Sequence, residues 1–268
     1  MLKDITIGQY FPGDSCVHRL DPRMKIVLTL AYVVMLFLAQ DMWGLLVGVA
    51  FLIIAYGVSR IPAKMILKSL KPVVPIILFT ALLNMFFIEG DTLWSWWIFK
   101  ISREGVQTAV LMAVRIICLI AGTSLLTYTT SPIALTDGIE RLMNPLKKLR
   151  FPVHELAMMM TIALRFIPTL IEETDKIMSA QKARGADLDN GGLMQRAKAL
   201  IPILIPLFVS AFRRADELAL AMECRCYRGG DGRTRLKQLR MHMVDFWGAA
   251  FVALCVAGVV AINLLVPR

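Results

Sequence analysis

Two arginines carry the spacing that most suggests a contact chemistry. Arg184 ends the run D-K-I-M-S-A-Q-K-A-R-G at residues 175–185, and Arg225 sits near the end of D-E-L-A-L-A-M-E-C-R-C at residues 216–226. At an offset of 41, Asp175 pairs with Asp216, Ile177 with Leu218, Ala180 with Ala221 and Arg184 with Arg225. Upstream, Leu164 falls on Ile205 and Ile171 on Phe212. Each arginine precedes a glycine-bearing stretch: Gly185, Gly191 and Gly192 after the first, Gly229, Gly230 and Gly232 after the second. A helix that stops at glycine leaves its last carbonyls and a terminal arginine projecting. A guanidinium fork can grip a carboxylate through two parallel hydrogen bonds, which lysine cannot do. Small neighbours, Ala183 and Gly185 at the first tip, would let it enter a narrow groove. Spacing alone leaves two roles open. The arginines could dock on another protein, or they could cap their own helix ends or meet lipid phosphate.

Other reactive residue types are sparse. Cys16, Cys118, Cys224, Cys226 and Cys255 form no disulfide framework, and Cys224-Arg225-Cys226 lacks the second pair or nearby histidines that zinc would need. His18, His154 and His242 are scattered. The chain has no G-x-x-x-x-G-K-[ST] phosphate loop and no nucleophile–base pairing. Neither a metal nor a cofactor is expected, and the chain reads as a non-enzyme that draws energy from a partner.

The elements that must hold these arginines are set by hydropathy. The chain is 57% hydrophobic and only 19% charged, against about 25% charged in soluble domains; its mean hydropathy is +0.64. Apolar runs at 26–39, 42–58, 72–88, 106–128 and 246–266 predict about five transmembrane helices. The first two are separated by Gln40 and Asp41 and read as a hairpin, with Gly44 and Gly48 able to admit a close neighbour. Residues 59–71 carry Arg60, Lys64, Lys68 and Lys71 and no acid, which marks a cytoplasmic loop. Trp94, Trp96 and Trp97 suit an outer interfacial loop. Arg115 lies inside the fourth run and should face protein or water, in a functional role or an ion pair. Ala249, Ala253, Ala257 and Ala261 form a small-residue ridge on the last run, expected to be a helix-packing face.

The predicted organisation is residues 1–128 for an N-terminal segment and four spans, 129–243 for a cytoplasmic helical region, and 244–268 for a last span. The middle region holds eighteen Lys or Arg against twelve Asp or Glu, contributing +6 of the net +10. That excess fits the positive-inside rule better than nucleic-acid binding. Periodicity predicts helices over 132–149, from about 152 to 185, and over 193–225 with breaks at Pro202 and Pro206. They are amphipathic, too polar to span and suited to lie against the bilayer or the membrane helices. Met158, Met159, Met160, Met178, Met194 and Met222 would give them a soft surface for changing partners, or merely fill gaps. The fold class is therefore an all-α integral membrane protein with long amphipathic cytoplasmic helices.

The chain resembles a known family over nearly its whole length, the transmembrane T component (EcfT) of energy-coupling-factor transporters. The stretch G-Q-Y-F-P-G-D-S-x-x-H-R-L-D-P-R-x-K at residues 8–25 matches that family's opening, and Ala183-Arg184-Gly185 matches the first of its two arginine motifs. At the second motif Cys224-Arg225-Cys226 keeps the arginine and changes both flanks; Tyr227, Arg228, Gly229 and Gly230 again fit. The resemblance implies a multi-pass plasma-membrane subunit of an ABC-type importer. It implies two cytosolic ABC-type ATPases docked one on each arginine tip, and a membrane-embedded substrate-binding S component delivering vitamins or other micronutrients. A self-contained secondary transporter is the alternative, expected to show an ionisable pathway at the midplane.

Overall fold

The computed structural model describes residues 10–88, 92–96, 99–186, 192–229, 239 and 241–265. Gly8, Gln9, Trp97, Gly191, Gly230 and Gly232 lie outside them, as do the side chains of Trp94 and Trp96. The elements, in order, are helices α1 (Cys16–Arg19), α2 (Pro22–Leu38), α3 (Met42–Ser59), α4 (Ala63–Leu70) and α5 (Val74–Phe87), then a β-hairpin of β1 (Thr92–Trp96) and β2 (Phe99–Ser102). Helices α6 (Arg103–Thr129), α7 (Pro132–Leu142), α8 (Val153–Ala183), α9 (Leu193–Cys224) and α10 (Met243–Leu265) follow, with a 3-10 turn at Asn144–Leu149 before α8. The fold is all-α apart from the hairpin, which lies between the third and fourth apolar runs, where an outer interfacial loop is expected.

The chain divides into two compact units, one made of residues 8–141 and 238–268, the other of residues 142–237 with residues 1–7. The first contains the apolar helices. Asp21 starts α2 by accepting a hydrogen bond from the Arg23 amide at 2.9 Å, with Pro22 at the first helical position. A proline there costs nothing, because that amide has no partner in a helix. Helices α4 and α5 bend by 60° at Lys71, Pro72 and Val73. Pro72 and Pro75 explain the break, since neither can donate to the carbonyl four residues earlier, that of Lys68 or Lys71.

The core of this unit is built on α2. Tyr32, Met35, Leu36 and Ala39 are buried there, joined by Leu45, Leu52 and Tyr56 of α3, Cys118, Ala121 and Tyr128 of α6, and Cys255 and Val259 of α10. The ring of Tyr32 stacks on Phe51 at 5.0 Å, and Phe51 on Phe251 at 5.6 Å. This stack closes only because α6 offers Gly122: a Cβ there would lie 2.4 Å from the Tyr32 ring. Gly44 and Gly48 are likewise buried, facing Ala39 and Leu36 of α2, so the glycine pair serves the hairpin itself.

Helices α3, α6, α8 and α10 are long and apolar enough to cross a membrane, and the bent pair α4–α5 makes five if it counts as one span. At 17 residues, α2 reaches about 25 Å, at the short end of the range for a span. Helix α8 meets the same limits of length and composition as the least apolar of the four, while its charged second half fits a helix lying along the membrane.

Candidate coupling site: two arginine-ended helices

Helices α8 and α9 pack antiparallel. Arg214 donates to Thr169 Oγ1 at 2.9 Å and to Glu173 Oε2 at 2.8 Å, and its guanidinium lies 5.8 Å from the Phe166 ring centroid. Ser210 donates to the other oxygen of Glu173. Nearer the connecting loop, Gln181 Nε2 donates to the carbonyl of Pro202 at 3.2 Å. That bond has a cause in the sequence. Pro206 has no N–H, so the carbonyl four residues earlier, that of Pro202, has no helical donor. The side chain of Gln181 supplies one from the neighbouring helix. The two prolines therefore do not break α9, which runs unbroken through both positions.

The two helices end in the same way. In α8, Gly185 N–H donates to Lys182 O and Ala186 N–H to Gln181 O, both at 3.0 Å. In α9, Cys226 N–H donates to Glu223 O at 2.8 Å and Tyr227 N–H to Met222 O at 3.0 Å. Both are Schellman closures, which satisfy the last carbonyls with the backbone itself. Arg184 and Arg225 occupy the same C-cap position, and the following residue is left-handed in each, Gly185 at φ 85° and Cys226 at φ 55°. Ala183, Arg184, Gly185, Cys224, Arg225 and Cys226 are all exposed. Neither guanidinium bonds to another described residue, so the arginines are not capping their own helices. Cys224 and Cys226 are exposed free thiols.

The structure does not bring the arginines together. Arg184 lies beyond Gln181 at one end of the α8–α9 contact, and Arg225 beyond Arg214 at the other. With 1.5 Å of rise per residue, the tips are on the order of 40 Å apart along the helix axes.

Comparison with known proteins decides the family. Residues 13–236 match the family described as CbiQ, cobalt transport protein. A protein of Ruminiclostridium cellulolyticum is 57% identical over 91% of this chain and 92% of its own length. One of Clostridium kluyveri is 56% identical over 99% of this chain and 97% of its own, and one of Thermosediminibacter oceani 54% identical over 100% and 99%. Each of the three carries the name energy-coupling factor transporter transmembrane protein EcfT. The chain belongs to the EcfT family. As an EcfT protein it is the transmembrane component of an energy-coupling-factor transporter, a multi-pass protein of the plasma membrane.

The EcfT opening, followed by residue number, turns out to be a chain of helix caps. Ser15 accepts from the His18 amide and starts α1; the His18 ring bonds Ser15 Oγ at 2.7 Å and the Phe11 carbonyl at 3.0 Å. Lys25 donates to the carbonyls of His18 at 3.0 Å and Thr129 at 2.8 Å, closing the C-terminal ends of α1 and α6 together. Asp245 of α10 accepts from the Asp21 amide through Oδ1 and from the His242 amide through Oδ2, each at 2.7 Å. Asp21, Lys25 and Asp245 are all at least 94% buried. Asp245 received no role from sequence, because a lone acid ahead of an apolar run looks like a helix start.

Two further placements differ from expectation. Arg115 donates to the carbonyl of Ala39, the C-cap of α2, while Asn263 of α10 donates to the adjacent Leu38 carbonyl at 2.7 Å. Among the described residues the Arg115 guanidinium meets a helix-end carbonyl and no carboxylate. The alanine ridge of α10 is not the face that packs in this chain. Ala253, Ala257 and Ala261 are exposed and Ala249 half-buried, whereas Asp245, Val252, Cys255 and Val259 are buried. Larger side chains on the adjacent stripe fill the space against α2 and α3, leaving the smooth ridge outward.

Proposed function

We propose that this EcfT protein couples two cytosolic ABC-type ATPases to a membrane-embedded substrate-binding S component, for uptake of a vitamin or other micronutrient. The observation that carries the reading is the matched pair of helix ends. Two helices finish in the same closure with an exposed arginine at the same position, on the order of 40 Å apart by helical rise. One tip, Ala183-Arg184-Gly185, docks on one ATPase; the other, Cys224-Arg225-Cys226, docks on its companion. Among the described residues neither guanidinium has a partner, which leaves its donors open to a carboxylate in the socket. The α8–α9 region lies on the cytoplasmic side, in keeping with its excess of Lys and Arg. ATP hydrolysis belongs to the partners, since the chain has no phosphate loop.

The S component would rest on apolar residues that this chain leaves open. On α9, Ile201, Leu204, Ile205, Phe208 and Phe212 recur at steps of one, three or four and are exposed. Such a stripe on an amphipathic helix needs a lipid or protein partner. A secondary transporter would place Arg115 in an ionisable pathway; its guanidinium instead donates to the Ala39 carbonyl.

The test is co-purification from membranes. Arg184→Glu with Arg225→Glu should leave the chain in the membrane and remove both ATPases and the uptake they drive. Each single variant should lose part of the ATPase complement. A double variant that still holds both ATPases would overturn the docking assignment.

A further inference from the structure

The chain leaves the membrane-helix unit after α7 and returns to it ahead of α10, with residues 142–237 forming the other unit in between. Both passages are tied to one turn. On the outgoing side, Gly138 of α7 lies against Pro22 and Ile26, where a Cβ would come within 3.1 Å of Pro22 Cβ, 3.2 Å of Ile26 Cδ1 and 3.3 Å of the Pro22 backbone. On the returning side, Asp245 grips the Asp21 amide, and Arg23 Nη2 donates to the Leu239 carbonyl at 3.3 Å. Lys25, one helical turn further on, holds the last residue of α6 through the Thr129 carbonyl, and α6 runs into α7 after two residues.

From this convergence we infer that the turn at residues 21–25 is the mechanical anchor through which motion of the α8–α9 region reaches the membrane helices. Asp245, Lys25 and Gly138 are then positioning residues for coupling. The inference rests on the docking reading above and adds where the delivered motion enters the bundle. The chemistry of the anchor suits that task. Burying two carboxylates and an ammonium costs desolvation, and apolar residues of the same volume would give equal or greater stability. Directional bonds to the Asp21, His242, His18 and Thr129 backbone give fixed geometry instead. The element they grip is the right one to move. Helix α2 and its C-cap carry Tyr32, Met35, Leu36 and Ala39, all fully buried, against α3, α6 and α10. Displacing its first turn shifts the packing of three helices at once.

The experiment uses the whole complex, purified with its ATPases and S component and reconstituted in lipid vesicles. ATP hydrolysis and substrate uptake are measured per assembled complex. In Asp245→Asn one of the two acceptor oxygens becomes a donor, facing either the Asp21 or the His242 amide. Assembly and hydrolysis should stay near wild type while uptake per ATP falls about tenfold, within the usual range for lost coupling between sites. Gly138→Ala, which leaves the ionic cluster whole and crowds Pro22 from the other passage, should shift the same ratio in the same direction. If Asp245→Asn does not accumulate, Gly138→Ala decides alone. An unchanged uptake-to-hydrolysis ratio overturns the anchor, whether or not both activities fall together. Failure of the docking reading looks different: it is read as ATPases retained by the Arg184→Glu, Arg225→Glu pair, whereas the anchor variants are scored only on complexes that hold them.

Discussion

The two units of this chain treat polarity in opposite ways. In the membrane-helix unit, the conspicuous polar side chains are turned inward and spent on helix ends: Lys25 on α1 and α6, Asp245 on the start of α2, Arg115 and Asn263 on the end of α2. In the α8–α9 unit the arginines at the helix ends project outward, while the helix ends close on their own backbone. Among the described side chains of α9, only Ile203 is buried. Low dielectric explains the first arrangement, since an unpaired carbonyl in the bilayer is costly. The second fits the proposed role, in which partners cover the tips. The contrast separates a unit closed by its own contacts from one that presents contacts.

The largest effect expected inside the closed unit is at Gly122. Gly122→Val places a branched side chain where even a Cβ would lie 2.4 Å from the Tyr32 ring. Tyr32 cannot move aside, because it is buried and stacked on Phe51. Overpacking of this kind costs about 3 kcal/mol or more, read as a lowered unfolding temperature in detergent. Gly258→Val on α10 is the control, since nothing lies within 4 Å of its Cβ position. Equal losses at the two sites would show that the core is not as closed as the stack implies.

A smaller effect, confined to the other unit, is expected from Arg214→Ala. The variant removes the bonds from Arg214 to Glu173 and Thr169, leaving Glu173 with Ser210. The pair is partly exposed, with side chains 31% and 23% accessible, so solvent screening limits the loss to about 1 kcal/mol. Hydrogen exchange should quicken in α8 and α9 and stay unchanged in α2, α3 and α6. Exchange that quickens throughout would mean that the two units unfold as one, and the comparison would fall.

How much of this was legible in the sequence follows from the same division. The apolar helices were visible because hydropathy alone specifies a span. The arginine repeat was visible because both helices place an Asp, a branched aliphatic residue, an Ala and an Arg at the same spacing before their closures. Three kinds of feature were not. Contacts over long sequence separations, such as Asp245 on Asp21, leave no local pattern. The inward face of α10 was misassigned because small residues at a spacing of four look like a packing ridge, yet Val252, Cys255 and Val259 fill the interface. The continuity of α9 was missed because two prolines signal a break, and the rescue of the Pro202 carbonyl comes from Gln181 on another helix. The role of Arg115 was open for a similar reason: its acceptor is a backbone carbonyl, and carbonyls have no sequence signature.

The smallest expected effect compares the two helix tips with each other. Gly185 and Cys226 occupy the same left-handed position after their arginines, at φ 85° and 55°. A side chain there costs about 1–2 kcal/mol in strain, whereas glycine costs about 0.4–1 kcal/mol more in the unfolded chain. Cys226→Gly should therefore stabilise the end of α9 by about 0.5 kcal/mol, roughly a twofold gain in protection of the Cys226 and Tyr227 amides that close it. Gly185→Ala should act in the opposite sense on the Gly185 and Ala186 amides of α8, by a similar amount. Nothing lies within 4 Å of a Cβ at Gly185, so the loss would come from backbone strain and not from a clash. Opposite signs at the two tips would establish that they share one closure and differ only in how well residue type fits it. The same sign at both would mean that Cys226 is held by something other than its backbone, and the equivalence of the two arginines would have to be argued from their sockets alone.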